Sequence, residues 1–254
     1  MRSTWQSAVV IFILAFPAHS ADAQSRSKWE LGINLGIYTY QGDLTPSYSG
    51  SSKTPGYGFS IFANRIYSDV LSFRTSLSYG KIRANDAAYT HPDWRQQRNF
   101  AFSSPILELS EMAVWSPFGK SGIAGLPISP YLSGGVGLGF FQVDRNADKF
   151  NTEYFAEEPR VAEGLAADLA TKPPVNLLVI PLGAGIRLPL TSHLSVQTEY
   201  IYRFTASDYL DGFSKAAGPD NRDQYSSVNV GLVYRFGNYG NIKCPPVFKK
   251  RFRN

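Results

Sequence analysis

Apolar side chains recur at every second position in eight separate stretches of this chain, and the positions between them are small or polar. The first is WELGINLGIYTY (29 to 40), with Trp29, Leu31, Ile33, Leu35 and Ile37 on one face and Glu30, Gly32, Asn34 and Gly36 on the other. The same alternation marks 57 to 64, 71 to 82, 131 to 141, 177 to 188, 193 to 204 and 228 to 236, and a less regular version runs from about 100 to 115. Period two predicts strands with two chemically different faces. Pro105, near the start of the fourth stretch, predicts a bulge or a break there, because proline cannot donate to a strand ladder. A convincing long amphipathic helix is missing from the pattern, although the acid- and alanine-rich segment 142 to 176 could hold a short helix from about Glu157 to Ala170.

Gly, Ser and Asn dominate the polar face, with isolated charges, which is unlike a wet sheet surface and suits a narrow interior. The opposite face carries Leu, Ile, Val, Phe and Tyr, as a lipid-facing wall does. A tilted strand crosses a bilayer in about 9 to 11 residues, and most of these stretches reach that. The connections at 65 to 70 and 189 to 192 are short, 116 to 129 is intermediate, and those at 41 to 56, 83 to 99, 142 to 176 and 205 to 224 are long. Short turns on one side and long loops on the other predict an all-β fold, an eight-stranded antiparallel transmembrane outer-membrane β-barrel with both ends of the mature chain periplasmic. Closure would satisfy every backbone donor and acceptor in lipid.

Composition adds an address. Arg2, the apolar run from Ala8 to Phe16 and the small residues Ala21 and Ala23 before Gln24 read as a secretory signal at 1–23, leaving a barrel domain at 24–236 and a tail at 237–254. The run of nine is too short for a spanning helix. Cys244 is the only cysteine in an exported chain, so no internal disulfide is possible, and it could be inert, reactive or paired with another chain. The formal charge of +5 resides in Lys243, Lys249, Lys250, Arg251 and Arg253, which no acid opposes after residue 242. A basic tail on a formally neutral body does not suit nucleic acid. It could be solvated, hold anionic headgroups or dock on a periplasmic protein.

The last stretch, VNVGLVYRF, places Asn229, Gly231, Tyr234 and Phe236 in the pattern polar-x-Gly-x-x-aromatic-x-aromatic. That is similar to the terminal-strand signal by which barrel-insertion machinery selects outer-membrane proteins, and the last strand is where an unclosed sheet offers a free edge. Further stretches carry a wider likeness: WELGINLGIYTYQGDLTP (29 to 46), SPILELSEMAVW (104 to 115), PYLSGGVGLGFF (130 to 141), IPLGAGIRL (180 to 188), DYLDGF (208 to 213) and the Cys-Pro pair at 244 and 245. Together they resemble the PorG-like family, small outer-membrane barrels of Bacteroidota whose named member is an accessory component of type IX secretion. The resemblance implies contact, from the periplasmic side, with a secretion ring made of a lipoprotein and its partner. It also favours docking as the role of the basic tail.

Arg74, Glu108, Arg187, Glu199 and Arg203 fall on the interior face by parity and are expected to pair as a plug, since an unpaired charge is costly in a lumen that holds only side chains. A selective pore is the functional alternative. His91 with Asp93, and Asp208 with Asp211, are the loop residues that could suggest hydrolysis or acyl transfer, but neither set has nucleophile or metal-ligand spacing. GGVGLG (134 to 139) lies within an alternating strand and lacks the Lys and helix of a phosphate loop. The expectation is a non-enzymatic barrel without cofactor or small-molecule substrate.

Overall fold

The computed structural model describes residues 29–46, 50, 53–119, 123, 128–217 and 223–236. The signal segment with Ala21, Ala23 and Gln24 lies outside the described residues, as does the tail with Lys243, Cys244, Lys249, Lys250, Arg251 and Arg253.

Eight long antiparallel strands close on themselves: β1 (Trp29–Gln41), β2 (Gly56–Ile66), β3 (Leu71–Asn85), β4 (Ala101–Trp115), β5 (Ser129–Phe141), β7 (Asn176–Pro189), β8 (Leu194–Thr205) and β9 (Gln224–Arg235). Each pairs with its predecessor, and β1 pairs with β9 over twelve residues to complete the ring. A three-residue strand, β6 (Asp144–Asn146), pairs with Ala101–Ser103 in the register already set by β5, so it is the continuation of β5 after a two-residue interruption. Following paired residues around the wall leads from Trp29 through Arg65, Phe73, Ala113, Gly134, Leu182, Tyr202 and Ser226 to Thr39, ten residues further along β1. Eight strands with that stagger tilt by about 40°.

Alternation decides the faces. Leu31, Ile33, Leu35 and Ile37 point outward and are exposed, as are Val228, Val230, Leu232 and Tyr234, whereas Glu30, Asn34 and Asn229 are buried inside. The lipid-facing wall is therefore Leu-, Ile- and Val-rich with Trp29, Phe73, Trp115 and Tyr234 near one end, the aromatic placement of a membrane interface. Here the end where β1 begins and β9 finishes is termed the terminal mouth, and the other the loop mouth.

Two expectations need correction. Pro105 does not break β4, which pairs with β3 without interruption from Ala101 to Trp115. The interruption falls on the neighbouring strand, at Gln142 and Val143 between β5 and β6, and the Gln142 amide donates to the Pro105 carbonyl. A second proline leaves a similar mark: the β5–β7 pairing is continuous except opposite Gly135 and Val136, where Pro181 offers no N–H. The interior is also not uniformly small and polar. Toward the loop mouth Tyr38, Tyr40, Ile82, Phe102, Ile106, Phe141 and Tyr225 fill the lumen and join Leu44, Phe100, Leu210 and Phe213 from the loops in one apolar core. Phe100 and Phe213 stack with centroids 4.5 Å apart.

Among the described residues two α-helices lie in the loops, α1 (Trp94–Arg98) and α2 (Pro159–Ala170), the latter starting two residues after its predicted position. Pro159 occupies the first turn of α2, where its missing N–H costs nothing. At the far end of α2, Arg145 donates to the carbonyls of Leu169 and Thr171 and to that of Gly212, tying the helix to the 206–217 loop.

Candidate functional site

The interior charges form three levels. Nearest the terminal mouth, Glu30 receives Arg187 at 2.8 Å and Arg235 at 2.5 Å, with Asn64 Nδ2 donating at 3.1 Å. Next, Arg74 Nη1 meets Glu199 Oε2 at 2.6 Å, and the same carboxylate accepts from Tyr131 Oη at 2.7 Å and Asn34 Nδ2 at 3.0 Å. Arg74 Nε donates to Asn64 Oδ1, which links the first two levels. Nearer the loop mouth, Arg203 Nε meets Glu108 Oε2 at 2.6 Å and Tyr225 Oη donates to the same oxygen at 2.7 Å.

Arg74, Glu108, Glu199 and Arg203 are each at most 3% exposed. Their partners explain how charge survives there: every carboxylate has an arginine plus at least one neutral donor, and the guanidinium planes rest on rings, Arg74 on Phe62 at 4.4 Å and Arg203 on Tyr225 at 5.2 Å. The five charges singled out from the sequence are thus distributed over three levels. Arg74 joins Glu199 and Arg203 joins Glu108, while Arg187 goes to Glu30. Sequence reasoning passed over Glu30, Asn34, Asn64, Tyr131 and Arg235, although parity placed Glu30, Asn34 and Arg235 on the same face.

Below the first level a cavity of about 330 Å³ opens at the terminal mouth, lined by Glu30, Arg187 and Arg235 with Ser129, Tyr131 and His193. Above the third level the apolar core closes the lumen. Beyond it, two polar clusters hold the loops. Asp86 receives Arg95 at 2.9 Å and Arg98 at 2.6 Å, and both arginines also reach the carbonyl of Asp43. Tyr40 Oη is shared between Asp211, at 2.8 Å, and Asp223, to which it makes a short hydrogen bond. Asp211 also accepts from the Phe213 amide and Asp223 from the Leu210 amide. Burial pushes the Asp211 carboxyl up to about 8, and burial reinforced by the charge of Asp211 raises Asp223 well above the usual carboxylate range.

The loop residues considered for catalysis do not assemble. His91 Nδ1 and Asp93 Oδ1 are 3.5 Å apart with both side chains more than four-fifths exposed. Asp208 accepts from Ser214, whereas Asp211 belongs to the buried carboxyl pair. GGVGLG lies in β5, where a Cβ on Gly135 or Gly137 would collide with β4. No cluster of three or more metal-ligating side chains occurs among the described residues.

Residues 8–236 match the family described as outer membrane protein beta-barrel domain. The chain belongs to that family. As a member of the outer membrane beta-barrel family it is a protein of the bacterial outer membrane. Among solved structures it is similar to Neisserial surface protein A (14% identity, 83% of this chain and 98% of that one, TM-score 0.44). It is also similar to Ail, the attachment invasion locus protein of Yersinia pestis (10%, 84% and 100%, 0.43), and to a major outer membrane protein from Thermus thermophilus (16%, 82% and 99%, 0.45). None of the curated proteins matches the sequence. The family shares a wall, and what its members do is set by what fills the wall and emerges from it.

Proposed function

We propose that this barrel is a non-enzymatic anchoring component of a protein-secretion machinery, acting as the PorG-like resemblance implies by helping to assemble a periplasmic ring formed by a lipoprotein and its partner. The observation that supports this reading is the filled interior, where three levels of ion pairs and an aromatic stopper occupy the lumen among the described residues. A barrel filled in this way is suited to work through its ends and its wall.

In this reading the terminal mouth faces the periplasm, as the short turns at 67–70 and 190–193 favour, and the long loops face outward. The basic segment with Lys243, Cys244, Lys249, Lys250, Arg251 and Arg253 is then the proposed contact with the ring. Asn229, Gly231, Tyr234 and Phe236 serve earlier, when the insertion machinery engages the last strand.

Deleting the gene and following type IX cargo tests the role, with loss of secretion expected and intact secretion overturning it. Crosslinking in cells from positions 243 to 254 tests the docking surface. Capture of the ring lipoprotein or its partner is expected, and recovery of lipid or insertion machinery alone would sink the idea.

A further inference from the structure

One outward side chain does not fit a lipid-facing wall. Glu111 lies on β4 with Leu109 and Ala113 as its outward neighbours, and it is exposed. Its depth follows from the register. Ala113 is three strands beyond Trp29 on the paired row, and Glu111 is two residues further toward the loop mouth. At about 40° of tilt this places the carboxylate about 14 Å above Trp29, halfway up an apolar band of about 25 Å. The band is bounded by Arg65, which lies over the Trp29 ring at 6.0 Å, and by Lys81 on β3 at the other edge.

At that depth the Thr75 hydroxyl donates to Glu111 Oε2 at 2.6 Å. The outward neighbours across the ladders are Phe73 and Leu77 on β3 and Gly134, Val136 and Leu138 on β5, none of them titratable. Arg65 on β2 is the nearest outward cation in the pairing pattern, and it lies about 11 Å closer to the terminal mouth. One donor leaves most of a carboxylate's acceptor capacity facing hydrocarbon, where unsatisfied polar groups are costly. Ala63, Ala113 and Gly134 lie beside the pair among larger apolar neighbours, and small residues there let a second wall approach closely, as they do between membrane segments.

We infer that the β2–β3–β4–β5 wall is the interface of a two-fold dimer of this protein in the membrane, closed by Glu111 of one copy against Glu111 of the other. A two-fold axis along the membrane normal brings each residue to its twin at the same depth, so mid-depth carboxyls meet without any further matching. A carboxyl-to-carboxyl hydrogen bond across the axis closes the contact, while each Thr75 keeps its own glutamate oriented.

The test uses the full barrel, with Cys244→Ser, refolded into phosphatidylcholine vesicles. Ala113→Cys is compared with Val230→Cys, which faces lipid from β9, four strands away. Disulfide-linked dimer is expected from position 113 and not from 230. Adding Glu111→Leu should cut it about tenfold, roughly one hydrogen-bonded contact in a membrane. Glu111→Gln, which can both donate and accept, should preserve the dimer. Equal crosslinking at 113 and 230, a dimer indifferent to Glu111→Leu, or a glutamine variant that behaves like leucine would each overturn the inference. So would crosslinks from 113 in cells that capture another membrane protein and never a second copy.

Discussion

Arg74 and Glu199 show what a charge costs inside this wall. Each is almost fully buried, and the pair is supported by Asn34, Asn64 and Tyr131. Glu199→Leu removes the anion and strands the guanidinium, so denaturant unfolding should report a loss of about 3–5 kcal/mol. Arg74→Leu combined with Glu199→Leu should recover most of that loss, because no uncompensated charge remains. A double variant as weak as the single one would contradict the account. A different titration governs the loops. Asp211 and Asp223 hold protons in the folded state that free carboxyls would release near pH 4, so the stability linked to them is full below that and is lost as pH rises through about 8. The loop from 206 to 217 should therefore become more sensitive to proteases between pH 5 and pH 9. Asp211→Asn, whose amide can meet both Tyr40 and the Phe213 amide, should flatten that dependence.

At the scale of the element, the last strand separates two explanations of its sequence. A Cβ on Gly231 would lie 1.9 Å from Asn34 Oδ1 and 2.2 Å from the Ile33 carbonyl. Gly231→Ala should therefore impair closure of β9 on β1 even when the purified chain refolds in detergent, measured as the fraction of heat-modifiable barrel. Phe236→Ala removes an exposed ring beyond the strand and should lower assembly only in cells. If both variants failed equally in detergent, the aromatic would be a packing residue and not a signal. The strands themselves were legible because period two survives without tertiary context: eight of the nine were placed, several short by a few residues where loops extend them past the membrane. The loop-mouth core was not legible. Its members Leu44, Leu210 and Phe213 come from segments without periodicity, and only the closed barrel brings them onto Tyr40 and Phe102. The same holds for Asp86, Arg95 and Arg98, which nothing local marks as a cluster. Parity found the interior charges but could not say which carboxylate meets which arginine, since that depends on the stagger.

For the whole molecule, the levels of ion pairs and the stopper make a solid body, and planar-bilayer recordings should show no steady conductance. Glu108 and Arg203 both changed to Ala should still not conduct, because Tyr38, Phe141 and Tyr225 close the lumen above them. Steady current through the native protein would favour the alternative reading, a selective pore. The wall is not equally firm all round. The seam between β1 and β9 has twelve consecutive pairs and is pinned from within by Glu30 on Arg235, whereas β5 and β7 part company opposite Pro181. Thermal breathing should thus begin away from the seam between the first and last strands. In deuterated buffer whichever amide of Gly135 and Val136 faces β7 should exchange ahead of those in β9, so a seam within the strand order need not outlast the one that joins the first strand to the last.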